Sequence, residues 1–195
     1  MIVTTQQLKK KYRDYSNPIA KINRDIKQEK LFPLVRGVYE TNPSAQGFML
    51  AQFIYGPSYL SFEYVLSVNG LIPEAVYNTF TCATYNKRKI KTYLNKFGTY
   101  IYRDVPKSVF GLGISAVSVD NYSYIIASTE KALCDKLYTV SPVANKKELR
   151  RLLFEDLRID EEGLSRLNKE DILKLAPLYR SANLNFFAEF IKEGM

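Results

Sequence analysis

The chain has 195 residues, 46% of them hydrophobic, which is enough for one to three small domains with real cores, and no apolar run is long enough to cross a membrane. There is no histidine, which excludes Ser-His and Cys-His nucleophile pairs, a histidine general base and histidine-containing zinc sites. The net charge of +8 is uneven: residues 1–40 hold nine basic side chains against four acidic ones, whereas the stretch after Tyr138 carries ten of each sign.

A basic N-terminal fifth points to a polyanionic partner. The opening "MIVTTQQLKKKY" has no apolar leader core, so a cytoplasmic protein is expected. Cys82 and Cys134 lie far apart without metal-ligand spacing and fall inside apolar patterns, as buried free thiols do.

Thr4-Thr5-Gln6-Gln7 is a capping-box pattern, with Thr4 as the cap and Gln7 three positions on. Leu8, Tyr12 and Tyr15 then fall on one face of a helix. Ser16-Asn17-Pro18 restarts the chain, with Asn17 suited to cap a second helix and Pro18 to its first position. In "PIAKINRDIKQEKL" the residues Ile19, Ile22 and Ile26 lie within about 60° of one another at 100° per residue, which predicts the buried stripe.

Opposite that stripe stand Asn17, Lys21, Arg24 and Gln28. Arg makes bidentate contacts to guanine, Asn and Gln to adenine, and Lys reaches phosphate or guanine. A plain solvated face carries the same residue types. "FPLVRGVYE" then reads as a two-stranded hairpin turning at Arg36-Gly37, where Gly37 supplies the positive φ.

Helix, break, helix and hairpin is the order of a winged helix-turn-helix, which lays its second helix in the major groove and lets the wing reach backbone or minor groove. Arg36 becomes a wing-tip contact, and Lys9 and Lys10 become sequence-independent phosphate contacts. A full winged helix has another helix ahead of these two. Only Met1 to Val3 precede Thr4, so the unit is abbreviated, either docking on the next domain for its core or lacking DNA binding.

From Asn42-Pro43 a helix is predicted through Tyr55, stopped by Gly56-Pro57. A brief strand and a helix follow, the helix capped by Ser61 and ended by Asn69-Gly70. Tyr77 to Tyr85 reads as a strand. Ile90 to Asn95 and Thr99 to Asp104 are strands joined through Lys96-Phe97-Gly98, and Ile114 to Val119 pairs with Tyr122 to Ala127 across Asp120-Asn121. Ser128 caps "TEKALCDKLYT", with Leu133, Leu137 and Tyr138 facing inward, and the rest is helical. The expected fold is α+β: an abbreviated winged helix-turn-helix (1–41), a mixed α/β domain with antiparallel hairpins (42–140) and a C-terminal helical subdomain (141–195).

The ordered set "LVRGVYE", "YLSFEYVLSVNGLIPE", "CATYNKRK", "YIYRDVP" and "IIASTEKALCDKLY" resembles the AbiEi family of antitoxins, from bacterial toxin–antitoxin and phage-defence systems. The resemblance runs from Thr4 to Tyr138. It implies a winged helix that binds and represses the promoter of its own operon, and a remainder that counteracts a nucleotidyltransferase-like toxin. The family's antitoxins are not known as enzymes, which agrees with the missing histidine, and no cofactor is expected.

Two other functions fit the residues. One is an interaction module that contacts the toxin without DNA, its many Tyr and Phe serving as interface anchors. The other is a magnesium-dependent nuclease using Glu63, Asp104, Glu130 and Asp135, although Glu130 follows a Ser cap, where a carboxylate suits the helix dipole.

Overall fold

The computed structural model describes residues 1–74 and 77–194 and is a mixed α+β fold with two sheets. The chain begins with a strand that the sequence did not announce, β1 (Ile2–Thr4). Helix α1 (Thr5–Lys11) follows, and the capping box is present: Thr4 Oγ1 accepts from the Gln7 amide at 3.3 Å and the Thr4 amide donates to Gln7 Oε1 at 2.8 Å. The helix stops before Tyr12, so Tyr12 and Tyr15 do not extend its face; they meet edge-on in the following turn, 5.7 Å between rings.

Helix α2 (Pro18–Lys27) is capped by Asn17, whose Oδ1 accepts from the Ala20 amide at 3.0 Å. Strands β2 (Phe32–Val35) and β3 (Val38–Glu40) form the expected hairpin, and Gly37 has φ +86°. The three strands pair antiparallel in the order β1-β3-β2. The turn does not stand free, because the Thr5 amide donates to the Gly37 carbonyl at 2.9 Å.

Behind this sheet Leu8, Ile22 and Leu31 form a small separate core. The hairpin's other apolar residues, Phe32 and Leu34, belong to the main core. Phe32 packs edge-on against Phe97, and the Asn95 carboxamide donates to the Leu34 carbonyl at 3.3 Å. Docking is what a unit with so few buried side chains needs, since apolar burial is its main stabilising term.

The helix expected from Asn42 to Tyr55 is shorter: a 3-10 turn (Gly47–Leu50) leads into α3 (Ala51–Ile54). Close approach sets this segment's position. A Cβ on Gly47 would lie 2.3 Å from the Phe80 ring and 2.4 Å from the Phe97 carbonyl. Tyr100 and Tyr102 reach up from the sheet beneath and donate to the Gly47 and Ala51 carbonyls at 3.1 and 2.6 Å, satisfying buried phenols and backbone together.

The larger sheet contains β4 (Tyr59–Leu60), β5 (Thr79–Thr84), β6 (Lys91–Asn95), β7 (Gly98–Asp104), β8 (Ile114–Val119) and β9 (Tyr122–Ala127), in the order β6-β7-β5-β4-β9-β8. The hairpins β6-β7 and β8-β9 are antiparallel, as is the β4–β5 pair, whereas β5–β7 and β4–β9 are parallel. Of the strand predicted from Tyr77, the part from Thr79 is formed.

Helix α4 (Phe62–Val68) follows Ser61, and Asn69-Gly70 ends it with Gly70 at φ +68°. Ser61 does not cap it, its hydroxyl being used elsewhere. Ser128 does cap α5 (Thr129–Thr139), accepting from the Lys131 amide at 3.2 Å. Leu133 and Leu137 are buried as expected, while Tyr138 is 37% exposed.

The tail is helical: α6 (Lys146–Arg151) running into a π turn (Leu152–Asp156), α7 (Glu161–Ser165), α8 (Lys169–Leu175), a 3-10 turn (Ala176–Tyr179) and α9 (Ala182–Glu193). One buried cluster continues from Phe32 through the sheet to Ile191. Both cysteines are buried free thiols, and burial pushes their pKa up.

Candidate nucleic-acid interface

Helix α2 buries Ile22 and Asp25, with Ile26 half-buried, and leaves Ile19 42% exposed. The buried stripe is therefore rotated from the one that three isoleucines predict. Asp25 lies about 60° round from Ile22 on the side away from Ile19, and Lys21 lies about 40° beyond Asp25 at 100° per residue. This corrects the placement of Lys21 on the outer face: its ammonium pairs with the Asp25 carboxylate one turn on, with the lysine side chain only 17% exposed.

The same ammonium sits 5.3 Å from the centre of the Tyr12 ring and 5.8 Å from that of Tyr15. Burial works against the charge on Asp25, but Lys21 and Tyr12 hold its carboxyl below the ordinary carboxylate range. Tyr12 is pushed up to about 12 by burial and by the neighbouring Asp25. These three side chains join the turn after α1 to α2, and Lys21 stands on that inner side of the helix. The i,i+4 spacing of Lys21 and Asp25 was the available signal, but such pairs are commonest on helix surfaces.

The other singled-out residues are exposed: Lys9 and Lys10 in the last turn of α1, Asn17 at the start of α2, Arg24 and Gln28 toward its end, and Arg36 at the turn. Asn17 uses its carbonyl oxygen as a cap, which leaves its amide group to donate. The exposed face keeps its positive balance. Asp25 and Glu40 are buried, whereas eight of the nine basic residues of the segment are exposed.

Glu40 carries the α-ammonium of Met1 and accepts from the amides of Thr41 and Asn42, both at 2.8 Å. That carboxylate organises the exit from the three-stranded sheet.

The four carboxylates considered for a nuclease are held apart, each in its own bonding set. Glu63 receives both Arg103 Nη1 contacts at 2.8 Å and Lys136 Nζ at 2.7 Å; burial raises its pKa, but these two cations outweigh it and the net shift is downward. Asp104 accepts from Thr84 Oγ1 at 2.7 Å and from the Lys87 and Arg88 amides at 2.6 Å, fixing the loop after β5. Glu130 accepts from the Asn168 amide at 3.0 Å.

Asp135 is fully buried with Lys131, whose Nζ donates to it at 2.5 Å and to the Tyr179 hydroxyl at 2.7 Å. Tyr179 donates to Asp135 Oδ1 at 2.6 Å, and Tyr59 and Ser61 donate to Oδ2 at 2.9 and 2.7 Å. The cluster ties β4, α5 and the C-terminal helices together. A buried charge pair persists when its remaining lone pairs are satisfied in this way.

The chain matches no model of a known protein family, and no curated protein matches it. Among the described residues no helix is long and apolar enough to cross a membrane.

Proposed function

We propose that the protein is an autorepressing antitoxin of the AbiEi type. Residues 1–41 act as a winged helix on the promoter of its own operon, in the cytoplasm, and the remainder counteracts a nucleotidyltransferase-like toxin. The observation that carries the DNA reading is the β1-β3-β2 sheet closed around two helices, with an arginine-glycine turn between β2 and β3. In that arrangement α2 is the helix offered to the major groove and the β2–β3 turn is the wing.

Arg24 and Gln28 read bases, and Asn17 assists through its amide group. Lys9, Lys10 and Arg36 bind phosphate. Lys21 steadies α2 from inside. Phe32 and Leu34 of the hairpin anchor the unit in the main core. No catalytic role is part of this reading, since each of the four carboxylates is taken up in a local hydrogen-bond set.

The test is a gel shift on the DNA upstream of the gene. Wild type should shift it in preference to unrelated DNA, Arg24→Ala should lose that preference, and Lys9→Ala or Lys10→Ala should weaken both DNAs alike. An identical shift by wild type and Arg24→Ala removes α2 as the reading element. Toxin rescue without any DNA binding would leave a pure interaction module.

A further inference from the structure

Residues 86–96, "NKRKIKTYLNK", hold five cationic side chains and no acidic one, and they include the edge strand β6. Along this segment exposure alternates. Tyr93 turns inward, its ring 5.8 Å from Tyr55 and 5.9 Å from Tyr102, while Ile90 and Leu94 point away from that packing and are 66% and 79% exposed. In an extended chain these two share one face, roughly 13 Å apart at about 3.3 Å per residue.

Leu94 pairs across the ladder with Thr99, and Thr92 with Ile101. Helices α4 and α5 cover this face of the sheet as far as Arg103, which meets Glu63 of α4, with Lys136 of α5 on the same carboxylate. Beyond β7 the face is an open shelf on which the exposed Ile90 and Leu94 flank the exposed Thr92. Arg88 and Lys89, both exposed, stand at one end of it beside a cleft that also receives Ile90, Lys136 and Tyr138. Lys96 stands at the other end.

We infer that this shelf is a protein-docking surface whose occupant is an acidic amphipathic helix of a partner protein, laid over β6 beside α4. The apolar stripe of such a helix covers Ile90 and Leu94, and its acidic flanks meet Arg88 and Lys89. Charge selects among occupants. A second copy would bring Arg88, Lys89 and Lys96 against their like, and like-charge juxtaposition opposes association. A nucleic acid would satisfy the cations but leave the two most exposed aliphatic side chains of the segment facing water. None of the residues proposed to read or bind DNA belongs to this surface, so it holds whether or not the N-terminal unit binds DNA.

The probe is a synthetic helical peptide of Leu and Glu with leucines at i, i+3, i+4 and i+7, compared with its scrambled isomer by fluorescence anisotropy. The full chain should bind the patterned peptide saturably and the scrambled one weakly. The exposed substitutions Ile90→Ser and Leu94→Ser together should weaken binding about tenfold or more, as truncation of central anchors does. Arg88→Glu with Lys89→Glu should weaken it independently.

Equal binding of both peptides overturns the inference, as does indifference to the serine substitutions. Self-association abolished by Leu94→Ser would assign the shelf to a second copy. Oligonucleotide binding lost in Arg88→Glu with Lys89→Glu but unaffected by Leu94→Ser, with no peptide binding, would reduce it to a cationic patch.

Discussion

Lys21 and Asp25, one helical turn apart, face into the N-terminal unit rather than out of it. The pair stands beside a small cluster whose buried apolar residues, among those described, are Leu8, Ile22 and Leu31. Helix α2 is thereby rolled so that Arg24 and Gln28 face outward and Ile19 is left at the margin.

This arrangement makes the unit acid-sensitive. Asp25 has its folded-state pKa below the ordinary value, so the unfolded chain binds the extra proton first as pH falls. The stabilisation is complete above the ordinary carboxylate pKa and is lost as pH drops through the folded one. Protection factors of the α2 amides, corrected for the intrinsic exchange rate at each pH, should therefore fall under acid before those of β5 or β7. Asp25→Asn should abolish that difference in acid response and lower the unit's stability at neutral pH by about 1–3 kcal/mol.

The Lys131–Asp135 pair gives a second expectation. Both groups are fully buried, and burial pulls the Lys131 pKa down against the pull of Asp135. Asp135→Ala strands an ammonium and three hydroxyls, and urea unfolding should show a loss of about 3–5 kcal/mol. Adding Lys131→Met to it should cost less than the sum of the single changes, because the stranded charge is then gone.

Gly47 tests the packing of the 3-10 turn over the sheet. Gly47→Ala puts a methyl into the Phe80 ring and the Phe97 carbonyl, and neither can yield without moving β5 or the β6–β7 turn. Thermal unfolding should show a loss of about 1–3 kcal/mol, the usual cost of overpacking. Gly111→Ala, with nothing near its added Cβ, is the matched control.

Local chemistry made much of this fold legible. The β8–β9 hairpin was readable because alternation and an Asp-Asn turn, with Asp120 at φ +52°, specify it within fourteen residues. Thr4, Asn17 and Ser128 were readable as caps for the same reason. Strand β1 was not, since three residues become a strand only by pairing with β3 about 35 positions later.

The parallel β5–β7 and β4–β9 pairings are likewise non-local, and nothing in the two strand patterns distinguishes them from hairpin partners. In the candidate interface, Arg24, Gln28 and Arg36 stand exposed where the pattern put them. Lys21 does not, because helical periodicity locates the apolar stripe but does not reveal that an ion pair is buried beside it.

The most direct test of the central claim is the affinity of the full chain for its own upstream DNA and for an unrelated duplex, each over a range of salt. Reading of the operator by α2 requires steep salt dependence on both, tighter binding to the upstream DNA, and loss of that margin in Arg24→Ala with the salt slope reduced by about one contact or less. Equal affinity of the wild type for the two duplexes, or a margin that survives Arg24→Ala intact, would contradict it.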